Sequence, residues 1–309
     1  MMIPPPTPKS AEKNPAERPM TATRVQRPSA KASRPMLASR RMPPVTADVE
    51  AALAPLRENH RSTALLLDLD GTLAPIVPRP EDAQMLPGTR EIVASLARHY
   101  LLVAFVSGRG LADLERIAAV PGVAYAGNHG MEVRDPGGQR HVVSEVRPFL
   151  ADIAAFAALV APGLAEHDIG LEDKGVTLSL HTRLSADQAA ADEYLRDHVA
   201  PLARERGLRP TSGRKVLEIR PPVTVDKGTA SRELLSASEA RHAAYVGDDR
   251  TDVDAWRALR ELEDEGTLET TVAIAAVSDE VPPEVGNAAD ICVDGPEGAL
   301  AALRFLDLP

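Results

Sequence analysis

The stretch Thr63–Pro75, TALLLDLDGTLAP, constrains the fold more than any other part of the chain. Its apolar run has the continuous character of a central parallel strand covered on both faces. The run stops at Asp68-Leu69-Asp70-Gly71-Thr72. Open α/β sheets place their chemistry at the carboxyl ends of such strands. Strand alternation sends Asp68 and Asp70 to one side and Leu69 to the other, and Gly71 permits a sharp turn beside them. Two adjacent carboxylates repel, so a cation or a shared proton is expected between them. An aspartate that merely caps a turn is the competing reading, and the rest of the chain decides against it.

A helical pattern over Ala47–His60 leads into this strand. A helix over Thr89–His99 and a second apolar strand, Tyr100–Val106, follow it. That strand also ends in polar residues, Ser107-Gly108-Arg109. The order is a βαβ unit with both strand ends on one rim. Ser107 therefore faces Asp68, where its hydroxyl and the next helix N-terminus suit a phosphoryl oxygen. Gly127-Asn128-His129-Gly130 then interrupts two apolar runs, with Glu132 just beyond, and is expected near a substrate rim.

The pattern changes from about Gly137 to Pro222. Helix, strand, helix, strand suggests a small α+β unit with helices on one face of an antiparallel sheet. VTLSLH alternates like a strand with one exposed face. Glu172, Lys174, His181, Arg183 and Glu218 crowd these strands, which fits either a solvated face or a grip on sugar hydroxyls and an anion. Their place between the core elements favours a lid.

Lys227 opens a helix, where the dipole prefers an acid, so it makes better sense pointed into a carboxylate and phosphate cluster. The strand AAYVG then runs into Asp248, Asp249, Asp252 and Asp254, four carboxylates within seven residues. Their spacing does not match the roughly 12-residue calcium loop. Oxygen-only donors point to a hard cation, with Mg²⁺ beside phosphate the natural choice.

Composition bounds the rest. Aromatics are 3% of 309 residues and net charge is −10, which disfavours a nucleic-acid partner. A single cysteine, Cys292, excludes an intrachain disulfide. With no long uninterrupted apolar stretch, no membrane association is expected, and a cytoplasmic location fits. Residues 1–46 hold nine Lys or Arg against two acids, with prolines throughout, and read as a disordered basic tail. The expected division is core residues 47–137, an inserted cap over 138–222, and core residues 223–309.

The ordered series DLDGT, SGR, a lysine before a helix, and GDD resembles the haloacid-dehalogenase-like hydrolases. LDLDGTLAPI, VSGR, AGNHGMEV, LEDKGVTLSLHTR, KVLEIRP and VGDDRTDVDAW are similar, in finer detail, to trehalose-6-phosphate phosphatases. The resemblance covers the chain from about Ala64 onward. It implies a Rossmann-like parallel-sheet core with an inserted α+β cap, and Mg²⁺-dependent hydrolysis through an aspartyl-phosphate. By the same resemblance Asp68 is the nucleophile and Asp70 the acid and base, while Ser107 and Lys227 hold the phosphoryl oxygens. Asp68, Asp70 (by its carbonyl), Asp248 and Asp249 belong to the metal site. Arg109, Asn128, His129, Glu132, Glu172, Lys174, His181, Arg183 and Glu218 are expected to read the sugar. Val253 stands where the family commonly has glutamate, a change expected to touch packing more than chemistry. Phosphatases of sucrose phosphate, mannosyl-phosphoglycerate or hexose phosphates share the core motifs, as would a phosphomutase or a non-catalytic sugar-phosphate sensor. A separate trehalose-6-phosphate synthase is the expected functional partner.

Overall fold

The computed structural model describes residues 46–213 and 215–308. The basic tail expected over 1–46 lies outside the described residues except for Thr46. In chain order the first elements are α1 (Ala47–Glu58), β1 (Thr63–Leu67), α2 (Thr89–His99), β2 (Leu102–Val106), α3 (Leu111–Ala118), β3 (Ala124–Gly127), β4 (Glu132–Arg134) and β5 (Arg140–Val142). A second group follows: α4 (Leu150–Glu166), β6 (Gly170–Asp173), β7 (Leu178–His181), α5 (Gln188–Tyr194), α6 (Ala200–Glu205), β8 (Arg209–Gly213) and β9 (Val216–Arg220). The chain ends with α7 (Lys227–Ser236), β10 (His242–Gly247), α8 (Arg250–Asp264), β11 (Thr270–Val277), α9 (Pro283–Ala288), β12 (Ile291–Asp294) and α10 (Gly295–Leu306).

The large sheet has the order β12-β11-β10-β1-β2-β3-β4-β5. Its strands from β12 to β3 are parallel, and β4 and β5 are antiparallel additions. All five residues of β1 are buried, because helices cover both faces. Leu65 and Leu67 face one layer, with Leu53, Leu96, Leu114 and Leu303 from α1, α2, α3 and α10. Ala64 and Leu66 face the other, with Leu235, Trp256 and Leu259 from α7 and α8. This two-sided burial produces the unbroken apolar run, and truncating a residue such as Leu66 to alanine would cost roughly 2–5 kcal/mol. The chain winds from β1 toward β2 on one side and returns to β10 on the other. The crevice beyond the carboxyl end of β1 is thus a topological switch point.

Between β5 and α7 the chain builds a separate four-stranded antiparallel sheet, β6-β7-β9-β8. Phe156 and Leu164 of α4, with Ala191 of α5 and Ala203 of α6, pack on Leu178, Leu180, Leu217 and Ile219. The start expected at 138 falls too early: β5 still pairs with β4 in the large sheet, and the inserted elements begin with α4. The exposed strand face expected for VTLSLH is also absent, since Ser179 is buried between its neighbours Glu172 and Glu218. The segment Arg147–Glu166 of the inserted unit is long and apolar enough, by length and composition alone, to cross a membrane. Here α4 instead turns Ile153, Phe156, Val160 and Leu164 onto the small sheet.

Candidate active site

β1 and β10 run side by side, with Leu67 opposite Val246, and both end in aspartates. The Asp68 N–H still donates to the Val246 carbonyl at 2.9 Å, which holds Asp68 at the strand end, and its side chain is buried. The turn Leu69–Ala74 closes behind it through Leu73 N–H and Ala74 N–H to the Leu69 carbonyl, each 2.8 Å. Gly71 sits there with φ +81°, and a Cβ at this position would lie 1.9 Å from Asp248 Oδ2. Only glycine lets the two loops approach so closely in this left-handed conformation.

Lys227 comes from the first position of α7 and is also buried. Its Nζ donates to Asp68 Oδ1 at 2.7 Å and to Asp252 Oδ1 at 2.6 Å. Burial alone would lower its pKa, but Asp252 and Asp68 hold it well above the ordinary lysine range. Asp252 accepts from four donors. Besides Lys227 these are the Tyr245 hydroxyl at 2.7 Å and the backbone N–H groups of Asp248 (3.0 Å) and Asp249 (2.9 Å). Four donors fill a carboxylate. Asp252 is therefore the anchor of Lys227, a role that its unremarkable place in the acidic run did not single out.

Thr72 Oγ1 lies 3.2 Å from both Asp68 Oδ2 and Asp248 Oδ1, and its single proton can serve only one at a time. Burial, then the Asp252 charge, pushes the Asp248 carboxyl up to about 7. Burial likewise raises Asp68 well above the usual carboxylate range, even with Lys227 beside it. Ligand oxygens of Asp68, Asp248 and Asp252 lie within 4.8 Å of one another. With Asp252 saturated, Asp68 and Asp248 remain to face a cation. Their oxygen-only character and crowded negative charge suit a hard divalent ion. Asp249 does not join them: it is exposed and takes the N-cap position of α8.

Ser107 is buried one strand over, at the end of β2, and its Oγ accepts the Arg109 N–H at 3.3 Å. Arg109, expected to touch substrate, instead clamps Asp70. Its Nε donates to Asp70 Oδ2 at 2.6 Å and Nη2 to Oδ1 at 2.8 Å, while Nη1 reaches the Pro80 carbonyl and Asp113. Asn128 and Glu132 are likewise turned to one another. Asn128 Nδ2 donates to Glu132 Oε2 at 2.6 Å, and the same oxygen receives the Leu111 N–H. The His129 ring packs over Gly108, where an added Cβ would lie 2.7 Å from Cε1. Burial, and then the Arg220, Lys227 and Lys174 charges, hold this imidazole neutral.

On the inserted unit, Glu172, Ser179 and Glu218 are register neighbours across the face opposite its helices. Glu172 Oε2 pairs with His181 Nε2 at 3.0 Å, and that hydrogen bond, against burial, lowers the Glu172 pKa. Lys174 Nζ lies 3.7 Å from Glu218 Oε1 and donates to the Gly108 carbonyl at 3.4 Å, so this face meets the Ser107 loop. Arg183 Nη1 donates to the Pro78 carbonyl at 2.6 Å, bracing the unit against the loop beyond β1.

A family model for trehalose-phosphatase matches residues 66–297, which takes in both strand ends, Lys227 and the whole inserted unit. The chain belongs to the trehalose-phosphatase family. Two bacterial proteins are similar to it. An uncharacterized glycosyl hydrolase of Mycobacterium tuberculosis is 38% identical over 208 residues, covering 65% of this chain and 15% of that protein. A trehalose-phosphate phosphatase of Mycobacterium avium is 34% identical over 206 residues, covering 65% of this chain and 52% of its own length. The chain thus spans about half or less of these relatives. Among solved structures, the C-terminal domain of the Candida albicans trehalose-6-phosphate phosphatase superposes with a TM-score of 0.64 at 22% identity. The match covers 85% of this chain and 97% of that one. The likeness shows that this trehalose-phosphatase family member shares the fold of that domain.

Proposed function

We propose that the chain hydrolyses a sugar phosphate, with trehalose 6-phosphate the favoured substrate, to the free sugar and inorganic phosphate. The observation that carries this reading is Lys227 bonded to both Asp68 and Asp252 beside Asp248, at the carboxyl ends of β1 and β10. Such a site offers a buried carboxylate, a cation held next to it, and room for charge neutralisation, which are the needs of phosphoryl transfer. Asp68 and Asp248 would hold Mg²⁺ with the Asp70 carbonyl, and the bound ion would offset negative charge on the phosphoryl oxygens.

Asp68 Oδ attacks phosphorus, a bond forms from carboxylate to phosphorus, and the bond from phosphorus to the sugar oxygen breaks. Asp70 gives its proton to the departing sugar oxygen. Water then attacks the same phosphorus, Asp70 takes the water proton, and the Asp68 carboxylate leaves. Lys227 neutralises oxygen charge throughout, and Ser107 donates to one phosphoryl oxygen. Asp70 accepts both Arg109 hydrogen bonds before substrate binds, so it must leave that fork and take up a proton from solvent before it can give one to the sugar oxygen.

The face with Glu172, Lys174, His181 and Glu218 supports a polyhydroxyl leaving group, since paired acids and bases can trade their internal bonds for sugar hydroxyls. Arg183 stands at its margin. A synthase of trehalose 6-phosphate is the activity that would supply the substrate. Phosphate release from a panel of trehalose 6-phosphate, sucrose 6-phosphate, mannosyl-phosphoglycerate and glucose 6-phosphate tests the reading. A preference of at least about tenfold in kcat/KM for trehalose 6-phosphate is expected from loss of paired polar contacts with the others. Preference for a monosaccharide phosphate would overturn the substrate choice.

A further inference from the structure

The turn Asn128-His129 carries two successive non-glycine residues in the left-handed region, φ +49° and +59°. Such conformations cost energy and persist where surrounding contacts impose them. The backbone N–H groups of both residues run to the loop after β2. The Asn128 N–H donates to the Arg109 carbonyl at 2.6 Å, and the His129 N–H donates to the Ser107 carbonyl at 2.8 Å. The backbone that carries Ser107 and Arg109 is therefore shaped by this turn.

The Asn128 side chain is held from two sides. Its Nδ2 donates to Glu132, which also receives the first N–H of α3. Its Oδ1 accepts from Thr177 Oγ1 at 2.9 Å, and Thr177 belongs to the inserted unit, just ahead of β7. This contact is buried, whereas Arg183 to Pro78 is an exposed one. A chain of hydrogen bonds consequently runs from the inserted unit through Asn128 to the carbonyl of Arg109, and the adjoining His129 N–H holds the carbonyl of Ser107.

We propose that Thr177 is a positioning residue for phosphoryl transfer, whose hydroxyl couples docking of the inserted unit to the shape of the Ser107–Arg109 loop. The proposal deepens the phosphatase reading and rests on it. With the unit undocked, Asn128 Oδ1 loses its donor, and the strained turn loses one of the contacts that impose it. The catalytic loop is then fully formed only under a closed unit, which ties water exclusion to assembly of the site.

The test uses the full chain and the substrate that the wild type hydrolyses fastest. Inactivity of the wild type on every sugar phosphate would count against the phosphatase reading and is established first, separately. Thr177→Val keeps the shape and removes the donor. Losing one buried hydrogen bond that favours the closed arrangement is expected to lower kcat about tenfold with KM changed less than about threefold. Thr177→Ser, which restores the hydroxyl, returns kcat to within about twofold of wild type on the same grounds. In Thr177→Val, amide exchange should accelerate at 107–110 and 128–130 while 178–181 stays protected. The proposal is overturned by unchanged kcat in Thr177→Val, by a loss that serine does not restore, or by exchange that accelerates equally in β7.

Discussion

Arg109 grips Asp70 through two parallel hydrogen bonds, Nε to Oδ2 at 2.6 Å and Nη2 to Oδ1 at 2.8 Å, across 39 residues of sequence. The fork fixes the position of Asp70 before substrate arrives. A lysine at 109 keeps the charge and loses the planar pairing. Arg109→Lys should therefore lower kcat/KM by about tenfold or more, since Asp70 loses the fixed starting position from which it turns to the reacting oxygen. Steady-state phosphate release measures it, and a variant within about twofold of wild type would show that the fork does not position Asp70.

Asp252 and Lys227 form a buried pair that also holds Tyr245 and two backbone N–H groups. Removing one partner leaves the other charge buried. Asp252→Ala should cost about 3–5 kcal/mol in urea unfolding, well above the effect of an exposed charge. A loss below about 1 kcal/mol would mean that water or Asp68 replaces the anchor without penalty.

Cation binding should stabilise the fold through Asp68 and Asp248. Millimolar Mg²⁺ should raise the melting temperature by a few degrees if it binds the native state with a sub-millimolar Kd, by about the amount of ligand linkage. Asp248→Asn should abolish most of that rise. An equal rise in the variant would place the ion elsewhere.

His129 is held neutral, chiefly by burial and then by the Arg220, Lys227 and Lys174 charges around it. Its folded pKa lies below its unfolded one, so the unfolded chain binds the extra proton first as pH falls. Stability from this group is full above the unfolded value and is lost as pH drops from there toward the folded value. His129→Gln should flatten that part of the stability profile below about pH 6.5, the ordinary histidine value. If wild type and variant show the same acid-side slope in urea titrations at successive pH values, other groups are responsible.

Much of this arrangement was written locally in the chain. The run before Asp68 announced a strand covered on both faces, and the abrupt polar stop marked its functional end. Lys227 stood out because a lysine at a helix start is electrostatically misplaced unless acids face it. Asp249 and Asp252 could not be told apart in the same way. Both sit in one acidic run, and only the path of the backbone turns Asp252 inward to Lys227 while Asp249 caps α8. Arg109 and Asn128, beside glycines, and Glu132, just after one, are likewise polar residues whose partners lie far away or on another element. Their pairing with Asp70, Thr177 and Leu111 depends on the sheet order and the docking of the inserted unit. The early start assigned to that unit has a similar origin, because β5 is short and its pairing with β4 has no strong apolar alternation to reveal it.

The central claim is that Asp68 becomes phosphorylated. The most direct test mixes the full chain with trehalose 6-phosphate and Mg²⁺, quenches in acid within the first turnovers, and maps added phosphate by peptide mass spectrometry. Phosphate on Asp68, absent from Asp68→Asn, which also loses turnover by at least about a thousandfold while keeping its fold, is the expected result. Normal turnover by Asp68→Asn with deamidation excluded, or phosphate trapped on a different residue, would contradict it.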